Sequence, residues 1–197
     1  ITLVFRLSRP AGFGTAQTRT IEQLMPLTLE FDVSSGPRVI LPLGLAPEAT
    51  SVSVDWGDGT VESFAAAVPV THTYASGAAN RATVTVVGSV TSFGAYDWSG
   101  ASSLLEVKAW GSSPLRSLSY AFYNASALTS VPDELPGTVT DLSYAFTNAG
   151  AFNQDISGWD VSSVTDLSYA FSNADAFNQD ISRWDVSSVT NMRRLFY

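Results

Sequence analysis

Carboxylates at repeated positions are the first residues in this chain whose spacing suggests chemistry. Asp155 and Asp180 lie 25 positions apart, as do Asp160 and Asp185. On stacked strands such pairs would approach to about 4.8 Å. Like charges that close need hydrogen bonds, solvent or a cation to offset them. Either the carboxylates accept backbone amides in tight turns, which is the expectation, or a calcium ion with its preference for oxygen ligands bridges them. Ser157, Ser162, Ser182, Arg183 and Ser187 fall between apolar positions of the same segments. Together with the four aspartates they form the candidate binding face. Asn153 and Asn178 are expected to stack as an amide ladder inside the coil.

A second carboxylate pair, Asp55 and Asp58, brackets Gly57. Paired carboxylates suit calcium or acid/base work, but Asp beside Gly is also ordinary turn chemistry, and that reading is preferred. His72 is the only histidine, which excludes a multi-histidine metal centre and leaves a Ser-His-Asp triad poorly supplied. It is expected to be a structural turn residue. No phosphate-binding loop, nucleophile elbow or zinc-protease helix motif is present. The chain is therefore expected not to be an enzyme, with no metal site assigned.

Composition narrows the partners. The net charge of −8 and the lack of any Lys/Arg run argue against nucleic acid and against a basic membrane anchor. The chain has no cysteine, so neither disulfides nor thiolate sites contribute. No apolar run reaches the roughly 18 residues of a membrane span, so membrane insertion is not expected.

The elements that must position these residues fall into two kinds. Segments 27–31, 39–43, 51–55 and 82–87 read as strands. The alternation in Ser51–Asp55 and Ala82–Val86 marks sheets with one wet face, and turns rich in Gly, Asp and Pro separate them. A small β-sandwich over 27–92 follows. Residues 1–26 form an N-terminal arm or linker with one strand-like run, Ile1–Leu7. It is open whether this arm belongs to a preceding domain or adds a strand to the sandwich.

From residue 93 to 197 the chain repeats. Segment 151–165 returns nearly verbatim as 176–190, and Leu-Ser-Tyr-Ala-Phe occurs at 118–122, 142–146 and 167–171. Thr165 and Asp166 suit a helix start, and Leu167, Ala170 and Phe171 share a helical face. Trp184 and Val186 alternate like strand residues. One helical turn and one short strand per 25 residues is the size of a leucine-rich coil. About four such coils, the last incomplete, would stack because one alone cannot bury its apolar face. The expected core is Leu142, Phe146, Phe152, Ile156, Trp159, Leu167, Phe171, Phe177, Ile181 and Trp184. Here Trp159 and Trp184 are core residues rather than an aromatic platform for a sugar. Since the sequence stops within a unit at Leu195-Phe196-Tyr197, continuation beyond Tyr197 or a covering partner is expected.

Two motifs carry a likeness to known families. Val52 to Thr60 (Val-Ser-Val-Asp-Trp-Gly-Asp-Gly-Thr), followed by Thr71-His-Thr-Tyr74, resembles the polycystic-kidney-disease (PKD)-type immunoglobulin-like domain, although Ser76 to Arg81 replaces the family's usual Gly-x-Tyr. The repeat Phe-Asn-Gln-Asp-Ile-Ser-x-Trp-Asp-Val-Ser-Ser-Val-Thr resembles the BspA-like leucine-rich surface-protein repeat. Units over 104–140 lack its Asn-Gln-Asp-Ile-Ser-x-Trp core, so any ladder function would be confined to the last two. The resemblances imply a mostly β fold with short helices, a PKD-like sandwich followed by a leucine-rich-repeat-like α/β solenoid.

They also imply exposure on a cell or virion surface and recognition of a cell-surface protein or glycan. Repeated weak contacts along such a face would give avidity. The alternative is a structural virion or filament component, a capsid decoration, fibre or sheath subunit, that self-associates through exposed strands and the unfinished coil. A homo-oligomer or a surface-layer partner would follow from that role.

Overall fold

The computed structural model describes residues 25–197 apart from Thr50, Ala66, Ala67 and Ala78; the strand-like run Ile1–Leu7 lies outside the described residues. The fold is mostly β. Strands β1 (Leu27–Asp32), β4 (Ser51–Asp55), β5 (Val61–Ala65), β7 (Arg81–Val87) and β9 (Leu104–Ala109) form an antiparallel sheet in the order β5-β4-β7-β1-β9. Alternation dictates its sidedness. Val52 and Val54 of β4 and Ala82, Val84 and Val86 of β7 are buried, while Ser51, Asp55, Arg81 and Thr83 face water.

The expected strand over 39–43 is two strands, β2 (Arg38–Leu41) and β3 (Leu43–Leu45), separated at Pro42. Proline has no amide hydrogen for a ladder, and the break lets the halves pair separately. β2 pairs with β6 (Val70–Thr73) and β3 with β8 (Val90–Phe93), both antiparallel. Their apolar sides, including Val39, Leu41, Val70, Val90 and Phe93, join Leu29, Phe31 and Val84 in one apolar cluster. His72 therefore lies in strand β6, opposite Val39, and not in a turn.

Beyond β9 the chain advances in layers. Parallel bridges join Ser92 to Ser117, Ser117 to Asp141, Asp141 to Asp166, and Asp166 to Asn191. Thr140, Thr165 and Thr190 each donate a backbone amide, at 2.8 Å, to the carbonyl one layer earlier, on Arg116, Thr140 and Thr165. β9 takes part too, since Val107 N donates to Ser130 O and Thr129 N to Leu105 O. The edge strand of the sheet is thus also a rung of the stack.

The helices expected in each unit are absent. The one helical element among the described residues is a three-residue 3-10 turn, Ala101–Ser103. The Leu-Ser-Tyr-Ala-Phe segments are chains of turns because Tyr120, Tyr144 and Tyr169 adopt left-handed φ of 57°, 57° and 56°, a conformation no right-handed helix contains. Alternate amides consequently point along the stack. Leu118, Tyr120, Phe122 and Asn124 donate to Asp141, Ser143, Ala145 and Thr147, and the next two layers repeat the pattern. Interlayer bonds replace the i to i−4 bonds of a helix. Trp184 and Val186 do not form a strand either: Trp184 is buried, Val186 is exposed, and a turn at Asp185 follows.

Aromatic rings fill the interior of the stack. Phe146 packs between Phe122 at 4.9 Å and Phe171 at 5.2 Å, and it also meets Phe152 at 4.3 Å. Trp159 and Trp184 occupy equivalent places, lying 6.0 Å from Phe146 and 6.2 Å from Phe171 at the same 41° tilt. Both indole N–H groups are satisfied by carbonyls of the preceding layer, Pro132 and Ile156. Leu142, Phe146, Phe152, Ile156, Trp159, Leu167, Phe171 and Trp184 are buried, with Phe177 and Ile181 partly buried against them.

Candidate functional site

The four repeated aspartates of the candidate face each close a turn on themselves. Asp155, Asp160, Asp180 and Asp185 accept the backbone amides of Ser157, Ser162, Ser182 and Ser187 at 2.9 to 3.0 Å. This is the side-chain mimic of a backbone turn that short carboxylates favour. The serine amide and hydroxyl hold all four carboxyls below the usual range. For Asp155 the charge of Asp180 works against this, and for Asp185 the charge of Asp160 does. Successive layers therefore bring like charges near one another, and the turn hydrogen bonds keep them ionised.

Five side chains of this face converge. Asp155, Ser157, Gln179, Asp180 and Arg183 line an open polar cleft of about 260 Å³ between two layers. The Arg183 guanidinium acts on both aspartates, favouring their charged forms. The cleft thus offers hydrogen-bond acceptors from two carboxylates, donors from a guanidinium and an amide, and a hydroxyl. Asp160, Ser162, Ser182, Asp185 and Ser187 lie outside its lining and repeat the turn motif beside it. Gln179 was not singled out by sequence reasoning; its position after Asn178 in the repeat was the available signal. Asn153 and Asn178 are exposed rather than inside the coil. Asn153 Oδ1 accepts from the amide of Asn178 and from Gln179 Nε2. The amide ladder is instead Asn124, Asn148 and Asn173, linked by Nδ2 to Oδ1 bonds of 2.8 and 3.0 Å.

The Asp55/Asp58 turn is built as a structural corner. Asp55 and Asp58 accept the amides of Gly57 and Thr60. His72 Nε2 lies 2.7 Å from Asp58 Oδ2, and its ring stacks on the buried Trp56 at 4.9 Å. Trp56 donates to Glu62, and Tyr74 donates its hydroxyl to Trp56 O. Burial pushes Asp58 up, but the His72 and Thr60 hydrogen bonds outweigh it and hold the carboxyl below its ordinary value. Burial also raises the Tyr74 phenol. Among the described residues no three His, Cys, Asp or Glu side chains gather as a metal site.

Sequence reasoning also passed over the tyrosines. Tyr120, Tyr144 and Tyr169 stack at 4.6 and 4.5 Å with planes 7° apart. Tyr96 and Tyr123 contact the Tyr120 end. The spacing of 24 and then 25 residues between the Leu-Ser-Tyr-Ala-Phe segments was the signal.

Residues 116–197, less than half of the chain, match the model of a family described as "Mycoplasma protein of unknown function, DUF285". No curated protein and no solved structure matches the chain. No helix among the described residues is long and apolar enough to cross a membrane.

Proposed function

We propose that this chain is a non-enzymatic recognition module displayed on the surface of a cell or virion. In this reading residues 27–92 are a PKD-like immunoglobulin-type sandwich and residues 93–197 a BspA-like leucine-rich solenoid. The repeat face takes a cell-surface protein or glycan. One observation carries the reading: two successive layers set Asp155, Ser157, Gln179, Asp180 and Arg183 around one open polar cleft. Such a mix of acceptors and donors suits the hydroxyls and amides of a glycan or a peptide loop, and the same two layers repeat the turn beside it at Asp160 and Asp185.

The test is an array of glycans and cell-surface ectodomains probed with the full chain and with Asp155→Ala/Asp180→Ala/Arg183→Ala. A ligand retained by the parent and lost by the variant is expected. No binding by the parent, or equal binding by both, would refute the reading. The second reading, a structural subunit that self-associates, is favoured by the outer edge of β5, which is unpaired among the described residues, and by the exposed Val61. Light scattering on the full chain separates the two, since assembly at micromolar concentration supports the second and a monomer the first.

A further inference from the structure

Six of the seven tyrosines belong to one connected group. Tyr96 meets Tyr120 at 5.9 Å and Tyr123 at 5.0 Å, Tyr120 leads through Tyr144 to Tyr169, and Tyr197 joins through Arg194. Tyr74 stands apart in the Trp56 corner.

The far end of this column is covered by a guanidinium of the chain itself. Arg194 follows Tyr169 by one repeat, shares the left-handed φ at 51°, and takes the place of the next ring. Its guanidinium lies 5.8 Å from the Tyr169 centroid and 4.5 Å from that of Tyr197. A flat, weakly hydrated cation over the electron-rich face of a phenol is a favourable pair.

The near end has the same ring chemistry and a carboxylate in addition. Tyr96 is 71% exposed, which leaves ring surface to solvent. Among the described residues no arginine or lysine lies over Tyr96, Tyr120 or Tyr123. Asp97, exposed and in a left-handed conformation at φ 52°, is oriented by a 2.9 Å hydrogen bond from Asn124 Nδ2 to its Oδ1. Oδ1 is held, and Oδ2 takes part in no other hydrogen bond or ion pair among the described residues. Burial, the first cause in each case, raises the Tyr120 and Tyr123 phenols, so the rings stay neutral beside the carboxylate at physiological pH. A planar donor fork that meets a carboxylate and lies on an aromatic ring is an arginine side chain, and the net charge of −8 favours a cationic partner.

We propose that Tyr96, Tyr123 and Asp97 form a binding site for a guanidinium group, supplied by an arginine side chain of a partner protein. None of these residues lines the Asp155/Asp180 cleft, so the site stands or falls independently of the ligand proposed there.

The test titrates the full chain, with its tyrosine rings isotope-labelled, against N-acetylarginine methylamide, its neutral citrulline isostere, and N-acetyllysine methylamide. Saturable ring shifts at Tyr96 and Tyr123 are expected with the arginine probe, with the Tyr74 ring unmoved. The citrulline and lysine probes should bind at least about fivefold more weakly. Tyr96→Ala and Asp97→Asn, both on the exposed surface, should each weaken the arginine probe by about threefold or more. Citrulline or lysine matching arginine, shifts spread evenly over all tyrosines, or undiminished binding by both variants would each overturn the proposal.

Discussion

Replacing Tyr144 by alanine and by glycine tests why the repeat turns rather than coils. Tyr144 sits at φ 57°, stacked on Tyr120 and Tyr169. Both substitutions delete the same ring and the same two stacking contacts, so those losses cancel in the comparison between variants. What remains is the backbone. Alanine keeps a Cβ that the left-handed conformation disfavours by about 1–2 kcal/mol. Glycine removes that strain but gives back about 0.4–1 kcal/mol through the greater freedom of its unfolded chain. The glycine variant should therefore be the more stable by about 0.5–1 kcal/mol, reversing the order found at ordinary backbone positions. Urea unfolding followed by tryptophan emission reads the difference as a midpoint higher by about 0.3 M. A midpoint for the alanine variant equal to or above that of the glycine variant would refute the left-handed turn and the interlayer bonding built on it.

Phe146→Ala, which empties a site surrounded by Phe122, Phe152, Trp159 and Phe171, should cost about 3–5 kcal/mol in the same assay. Phe177→Ala, at a partly buried position, should cost about half as much. Gly94→Ala should lower the melting temperature sharply by calorimetry, because a Cβ at φ 138° would collide with the Ser119 carbonyl. Stability should be complete above about pH 5.5 and fall as the pH drops through the ordinary carboxylate range and below it. The reason is that Glu30, hydrogen-bonded by Lys108 and Arg81, and Asp166, where the Ser168 and Asn191 hydrogen bonds outweigh burial, are both held below their ordinary values. Glu30→Gln/Asp166→Asn should make that acid limb shallower in urea midpoints measured from pH 7 to pH 3, the remainder coming from Asp58 and the turn aspartates.

The 25-residue period was legible because segments 151–165 and 176–190 are nearly identical, and identical layers bury identical residues. The buried set around Phe152, Ile156 and Trp159 follows from it. Strands β1, β4 and β7 were legible for a different reason: each alternates apolar with polar residues over one wet sheet. The helix expected at Leu167, Ala170 and Phe171 was a false reading of a five-residue window. Its i, i+3, i+4 spacing is also satisfied by consecutive turns, and only the φ of Tyr169 separates the two. β5 and β6 escaped notice because Val61–Ala65 is largely exposed and Val70–Thr73 is short, so neither shows a clear apolar alternation. The cleft was half legible. Asp155, Ser157 and Asp180 were marked by repetition and Arg183 by its place between core positions, but that they meet Gln179 in one hollow depends on the offset between layers, which no spacing encodes. Tyr120, Tyr144 and Tyr169 were read as part of a helical segment and so never as a column.

Because β9 is at once a sheet edge and a rung of the stack, the two regions have no slack tether between them. A pull on the distal layers would load the interlayer amide bonds rung by rung, peeling the layer farthest from β9 before the sheet felt any strain.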